Sequence, residues 1–200
     1  MVGNPHRMNS RTGGRLCARR LLATAMMILM SASAVPAVAV PQNDPAVTVS
    51  EERGVYTVAA TFSVPQAPRF VFAALTDYAG IPRFMPEVRT SNVIARADDR
   101  TVVEQEATAR FMMFSKRVHL VLEVQEGESH IRFRDRCGKS FTRYEGVWTI
   151  TGNGATTQVR YELSARPSFD VPELLLKRLF KRDATQMIER LTIEIRARAR

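Results

Sequence analysis

The sequence predicts an α+β fold in which an antiparallel sheet of about seven strands is covered by one long C-terminal helix. Apolar residues recur every three or four positions between residues 171 and 196, which is typical of one face of an α-helix. Most of the chain before this segment alternates apolar and polar residues, which is typical of half-buried strands. A helix of this length can bury its apolar stripe only against a broad surface, and the sheet is the natural partner. The stripe consists of Leu176, Phe180, Ala184, Met187, Leu191 and Ile195.

The first 39 residues have the three regions of a secretory signal peptide. Leu21–Met30 is an apolar run, and residues 32–34 and 37–39 both read Ala-x-Ala. We predict cleavage after Ala39 and export to the periplasm or the exterior. The alternative is a retained anchor, because the apolar run extended to Val40 approaches the ~20 residues that a membrane span needs. The basic region before the apolar run contains Arg7, Arg11, Arg15, Arg19 and Arg20.

Charge and cysteine content narrow the classes of function. Cleavage after Ala39 removes five arginines and no acidic residue, so the formal charge falls from +9 to +4. A charge of +4 is poor evidence for nucleic-acid binding, and the sequence has no strip of basic and aromatic residues that would support it. Cys137 is then the one remaining cysteine, which excludes an internal disulfide. No spacing of His, Cys or carboxylates matches a metal site, and we expect neither metal nor cofactor.

The elements follow one another in a simple order after the signal. Residues 40–53 contain prolines and polar residues and are predicted to be a linker, so the folded domain is expected at 54–200. A strand over 55–64 ends at Pro65, a short helix covers about 68–77, and a second helical turn lies near 80–86. The strand at 87–97 has no clear inward face, because Val88, Val93 and Ile94 do not share one parity.

The region from 102 to 166 is predicted to contain five further strands joined by short turns. Gly152-Asn153-Gly154 is a strong hairpin signal, and Pro167 ends the last strand. Hairpins of this kind produce an antiparallel sheet with one apolar and one polar face. The apolar face is the one expected to meet the C-terminal helix.

Two short motifs resemble a known family. Residues 75–78 (LTDY) with 81–88 (IPRFMPEV), and residues 144–148 (YEGVW), resemble the signature and the Gly-x-Trp strand of the bacterial polyketide cyclase/dehydrase family. That family belongs to the START-like (SRPBCC) superfamily and includes ubiquinone-binding members. The resemblance spans about residues 56–196. It implies the helix-grip fold, in which a curved sheet wraps the C-terminal helix and leaves a ligand cavity between them.

The inward parity of the strands and the helix stripe together predict the wall of that cavity. We interpret the protein as an exported binding protein for a hydrophobic small molecule, such as a lipid, a quinone or a polycyclic compound. The alternative is that the same residues pack a solid core. The predicted ligand-binding residues are Gln105, Ala107, Ala109, Phe111, Met113, Val118, Leu120, Leu122, Phe133, Trp148, Tyr161, Leu176, Phe180 and Met187.

A few polar residues share the predicted inward face and define an enzyme alternative. A cyclase or aromatase would need an acid or base in the pocket, and Asp135 and Tyr144 are the weak catalytic candidates. Asp135 is expected instead near a strand end, solvated or paired with an arginine. Cys137 as a nucleophile would need His119 as its base, yet His119 has the outward parity. These patterns favour binding over catalysis.

The remaining expectations concern partners. Residues 111–114 (FMMF) precede Lys116 and Arg117, a combination suited to transient contact with an anionic membrane surface. The alternative is packing of residues 111–114 beneath the short helices near Phe84. Toxin-like members of the superfamily act on ribosomes, a role that export argues against. A periplasmic protein partner stays open, and we expect a monomer.

Overall fold

Helices cover one face of a single antiparallel sheet. A computed structural model describes residues 46–111, 114–152 and 156–200, with residues 111 and 114 described by their backbone alone. In these ranges a 3-10 turn at Tyr78–Gly80 separates the helices α1 (Pro68–Leu75) and α2 (Ile81–Phe84), and α3 (Glu173–Arg198) closes the chain. The strands are β1 (Ala46–Glu52), β2 (Val55–Val64), β3 (Val88–Ala97), β4 (Arg100–Phe111), β5 (Phe114–Glu126), β6 (His130–Asp135), β7 (Phe141–Gly152) and β8 (Thr157–Pro167).

The eight described strands form one sheet in the order β1-β2-β8-β7-β6-β5-β4-β3. Every neighbouring pair is antiparallel, and β2 lies between β1 and the last strand. The chain therefore runs from β2 through α1 and α2 to the far edge, and returns strand by strand. The predicted α+β class, with two short helices after a long strand and one long C-terminal helix, is confirmed.

Strand β1 corrects the sequence analysis, which assigned its residues to a linker. Val47 is buried and Val49 partly buried, so β1 contributes a short apolar face to the sheet. Arg53 and Gly54 join β1 to β2 with φ values of 53° and 78°. Two consecutive residues at positive φ are what a type I′ hairpin turn requires. Arg-Gly is not one of the pairs that usually mark this turn, and the strand offers only two inward valines.

The alternation predicted for the central strands is confirmed by their burial. In β2 the even-numbered residues from Tyr56 to Val64 are buried, and in β8 the odd-numbered residues from Val159 to Ala165 are buried. On α3, the buried residues are Leu176, Ala184, Ile188, Leu191 and Ile195. Among the described helices, none has the length and apolar character needed to cross a membrane.

The ambiguity of the strand at 87–97 has a structural cause. The pairing of β3 with β4 shifts register between Val88 and Thr90 and again between Val93 and Ala95. Each irregularity inserts a residue and exchanges inward and outward positions. Ile94 is consequently 54% exposed. A strict period of two cannot describe a strand with two such shifts.

Ion pairs fix the end of α3 against the α1 region. Arg198 donates from Nη2 to Asp77 Oδ2 at 2.6 Å and from Nη1 to the carbonyl of Ala73 at 3.0 Å. Its Nε also donates to Glu194 at 2.8 Å. Asp77 also accepts a hydrogen bond from the Gly80 N–H and so caps the 3-10 turn. These contacts therefore join the end of α3 to the segment that contains α1 and the 3-10 turn.

Candidate functional site

A cavity of about 340 Å³ lies between the sheet and α3. Strands β4 to β8 form its floor, α3 covers it, and residues such as Leu75 and Phe84 close one side. Several inward residues, including Ala107, Leu122 and Phe180, are only half-buried. In a solid core these positions would be covered by their neighbours. The volume lies within the range of small-molecule sites, so the space can accept a compact apolar ligand.

Aromatic rings form one part of the cavity floor. The ring centroids of Trp148 and Tyr161 are 4.3 Å apart, and Phe133 lies 6.0 Å from Tyr144 and 6.4 Å from Tyr161. Phe133 faces Gly146 across the β6–β7 pair. A Cβ on Gly146 would collide with the backbone oxygen of Glu162 and would lie 2.5 Å from Cζ of Phe133, so only glycine fits here. This requirement explains the glycine of the Gly-x-Trp motif.

The cavity wall contains most of the residues that the sequence analysis assigned to ligand binding. Phe111 has only its backbone described and Met113 lies outside the described residues, so neither can be placed. For the predicted residues that do lie in the wall, contact with a ligand stays a prediction. The predicted residues found in the wall are Gln105, Ala107, Ala109, Val118, Leu120, Leu122, Phe133, Trp148, Tyr161, Leu176, Phe180 and Met187.

Gln105 borders the cavity but is held by a neighbouring strand. Its Nε2 donates to Oγ of Ser91 at 3.0 Å. Ser91 is buried, and the bond joins β4 to the irregular strand β3. An amide group has both donor and acceptor atoms, so Gln105 can use the contact with Ser91 and still offer its oxygen elsewhere.

Asp135 shares the inward face of β6 with Ile131 and Phe133, as its parity predicts, but it is not one of the residues that line the cavity. Its carboxylate accepts hydrogen bonds from the backbone N–H groups of Val121 at 2.8 Å, Gly138 at 3.0 Å and Cys137 at 3.3 Å. These bonds stabilise the turn after β6, in agreement with the strand-end position that we expected as the alternative. Backbone amides bind the carboxylate, where we expected either solvent or an arginine. Cys137 donates from Sγ to the carbonyl of His119 at 3.7 Å, and it lies outside the wall.

Tyr144 and Tyr161 place phenol hydroxyls inside the apolar region. Burial raises the pKa of Tyr144 to about 12, and the charges of Asp135 and Asp183 add to this effect, whereas hydrogen bonding with Tyr161 opposes it. Burial also raises the pKa of Tyr161 well above its usual range. Both phenols are therefore protonated at neutral pH. They can donate hydrogen bonds or protons, and they do not supply a base.

Two cavity carboxyl groups, Glu87 and Asp183, were missed by the sequence analysis. Arg182 donates to Oδ1 of Asp183 from Nε at 3.0 Å and from Nη2 at 2.8 Å. Arg190 donates to Oε2 of Glu87. The spacing contained the signal for Asp183, because it lies three residues after Phe180 and four before Met187, on the apolar face of α3.

The environment shifts the pKa values of the two cavity carboxyls in opposite directions. Burial raises the pKa of Asp183; the hydrogen bond from Arg182 opposes this shift, and the charge of Glu87 adds to it. For Glu87, burial also favours the neutral form, but the hydrogen bond and charge of Arg190 outweigh it and hold the pKa below its usual range. Glu87 is therefore the more firmly ionised of the two.

Within the described ranges, no group of three or more His, Cys, Asp or Glu side chains could hold a metal ion.

The apolar segment expected to touch a membrane, residues 111–114, cannot be placed by its side chains. Its neighbours Lys116 and Arg117 are exposed. Lys116 lies 5.2 Å from the ring centroid of Phe169, a residue that borders the cavity.

Comparison with known proteins identifies the family. A family model described as "polyketide cyclase / dehydrase and lipid transport" matches residues 64–192. The chain belongs to this family. No curated protein matches it in sequence. The match runs from the end of β2 into the last turns of α3 and includes every residue of the cavity wall except Val58, which confirms the resemblance drawn from the two short motifs.

Solved structures show the same fold. The protein TTHA0849 from Thermus thermophilus is 25% identical, with a TM-score of 0.60 over 70% of this chain and 97% of that one. A START superfamily protein from Mycobacterium smegmatis is 16% identical, with a TM-score of 0.61 over 70% and 97%. The Zhui aromatase/cyclase from Streptomyces sp. R1128 is 13% identical, with a TM-score of 0.64 over 73% and 96%. The START-like helix-grip fold is thus established.

Proposed function

We propose that the protein binds a hydrophobic small molecule, such as a lipid, a quinone or a polycyclic compound, in the cavity beneath α3. The observation that carries this proposal is a space of about 340 Å³ walled by apolar side chains. Each ligand CH₂ removed from water contributes about 0.8 kcal/mol, so ten such groups supply about 8 kcal/mol before the costs of association. A free energy of about 8 kcal/mol corresponds to a micromolar dissociation constant, so binding is expected to be micromolar or weaker.

Catalysis is the second candidate, because the family description names both cyclases and lipid transport. A shared fold does not choose between the two functions. Of the two predicted catalytic candidates, Asp135 lies outside the wall and its carboxylate is bound by backbone N–H groups, so it gives this candidate function little support. Tyr144 remains, and its raised pKa suits a hydrogen-bond donor or acid. Tyr144→Phe should abolish turnover if the protein is a cyclase, while binding of an apolar ligand should largely survive.

We further propose that the protein is exported, that residues 1–39 are removed, and that the mature chain is a monomer. The basic, apolar and Ala-x-Ala regions of the sequence support export. The mass of protein recovered from the periplasmic or secreted fraction tests it, because cleavage after Ala39 gives a single defined loss. Retention of the full mass in the membrane fraction would favour the anchor.

Contact with an anionic membrane surface is part of the same proposal, for a protein that delivers or collects an apolar ligand. Exposed Lys116 and Arg117 next to residues 111–114 support it. Sedimentation with vesicles containing phosphatidylglycerol should fall when Lys116 and Arg117 are both changed to serine. Unchanged sedimentation would exclude these two residues as the contact.

Native mass spectrometry of the purified protein, followed by organic extraction, tests ligand binding directly. We expect a reproducible apolar adduct, or uptake of the neutral dye N-phenyl-1-naphthylamine with a rise in its fluorescence. A protein that carries no adduct and takes up no dye would contradict the proposed function. Heat-denatured protein is the control for dye bound to unfolded chain.

A further inference from the structure

The charged groups at the cavity are all of one sign. Among the described residues that line it, the side chains with a formal charge are Glu87 and Asp183, and no lysine, arginine or histidine belongs to the wall. This contrasts with the whole chain, which has 29 basic and 20 acidic residues. The wall is therefore mostly apolar, and its two formal charges are both negative although the chain as a whole is basic.

The arginines that pair with these carboxyls lie outside the wall. Arg190 binds Glu87, and Arg182 binds both Asp183 and the backbone oxygen of Arg110 on β4. Their guanidinium groups are thus engaged with partners, while Glu87 and Asp183 border the space itself. Both carboxyl side chains are 41% exposed, so they border the space where it is open to solvent.

We propose that the cavity selects uncharged ligands and excludes anionic ones such as fatty-acid carboxylates and phosphates. This inference rests on the proposed function and narrows its ligand class. An anion would lose its hydration and approach two carboxyl groups with no cation in the wall to replace the water. A neutral hydroxyl, carbonyl or amine can instead form hydrogen bonds with Tyr144, Gln105 or Asp183.

Displacement of bound N-phenyl-1-naphthylamine by decan-1-ol and by decanoate at pH 7 tests this selection. The two competitors share one apolar chain and differ in the charge of the head group. We expect decan-1-ol to displace the dye at a concentration at least about tenfold lower. The ratio of the decanoate concentration to the decan-1-ol concentration needed for displacement also contains the greater solubility of any anion. Variants of the two carboxyls show how much of the ratio the protein causes.

The double variant Glu87→Gln, Asp183→Asn should reduce the ratio by about tenfold, chiefly by strengthening decanoate binding. Asp183→Asn alone should reduce it in part, and it preserves the Arg190 contact of Glu87. Asp99→Asn, which removes an exposed carboxyl on the β3–β4 turn, is the matched control and should leave the ratio unchanged. Thermal melts verify that each variant is folded.

The outcomes separate this inference from the proposed function. If the dye does not bind, the proposed function fails and the inference fails with it. If the dye binds but the alcohol and the carboxylate compete equally, only the inference fails. It also fails if the ratio persists in the folded double variant, because the two carboxyls would then not cause the selection.

Discussion

Filling the cavity with part of a side chain should strengthen the protein and weaken its ligand at the same time. Ala107 lies on β4 in the cavity wall and is half-buried. Ala107→Leu adds three carbon atoms, and a space of about 340 Å³ holds roughly ten water volumes, so the new atoms fit. Their burial contributes up to about 2 kcal/mol to the free energy of unfolding. A ligand that loses the same space binds about 30-fold more weakly.

The assay combines thermal unfolding of the ligand-free protein with titration by N-phenyl-1-naphthylamine. Ala107→Leu should raise the melting temperature by several degrees and reduce dye affinity. Ala95→Leu is the control, because Ala95 is exposed on β3 and should change neither value. A lower melting temperature with unchanged dye affinity would refute the reasoning, since it would mean that the site is already filled by protein.

Three further predictions concern single residues. Gly146→Ala should cost about 1–3 kcal/mol of stability, because its Cβ would meet the backbone oxygen of Glu162 and the ring of Phe133; thermal or urea unfolding measures this loss. The hydrogen bond and charge of Arg198 hold the pKa of Asp77 below its usual range, so this carboxylate stabilises the fold at neutral pH and loses that effect as pH falls through its folded-state pKa. Asp77→Asn should therefore lower stability at pH 7 and flatten the acid side of the stability profile. Burial raises the pKa of Asp183, so its ionised form costs stability at pH 7, and Asp183→Asn should maintain or raise the melting temperature there.

Each of these has a contrary result. Gly127→Ala is the control for Gly146, since the added Cβ would meet the half-buried ring of His130, which can move aside; equal losses would contradict the steric argument. A parallel acid profile for Asp77→Asn would show that Arg198 does not depress the carboxyl. The stability cost of ionised Asp183 should shrink as pH falls through its folded-state pKa. An Asp183→Asn variant that is less stable than wild type at pH 7 would contradict this cost.

Periodicity explains why much of the fold could be predicted from the sequence. The buried face of α3 and the inward faces of β2 and β8 are regular, and one face of each meets the core. A residue at such a position has no other stable environment, so its burial follows from spacing alone. The family motif added the cavity, because periodicity cannot distinguish a residue that faces a space from one that packs a solid core.

The parts that could not be predicted depend on contacts distant in sequence or on irregular backbone. The β1–β2 turn places Arg53 at positive φ, which its residue type does not indicate. The two register shifts of β3 are set by pairing with β4. Asp135 has the inward parity that its spacing predicts, but spacing could not show that β6 ends there and that backbone N–H groups of the following turn bind its carboxylate.

Asp183 illustrates a different limit. Its helical position was readable, but an acidic residue on an apolar face gains significance only when the space it borders is known. The structure supplies that space and the partner Arg182 on the same helix. A polar residue inside an apolar stripe is therefore a useful pointer to a ligand site in this fold.

A crystal structure of the protein with N-phenyl-1-naphthylamine tests the central claim most directly. The account predicts electron density for the aromatic rings between the sheet and α3, in contact with Trp148 and Met187 and within reach of Tyr144. It also predicts that the wall moves little, because the space exists without ligand. Dye bound only on the outer surface, over a closed and packed interior, would contradict the account.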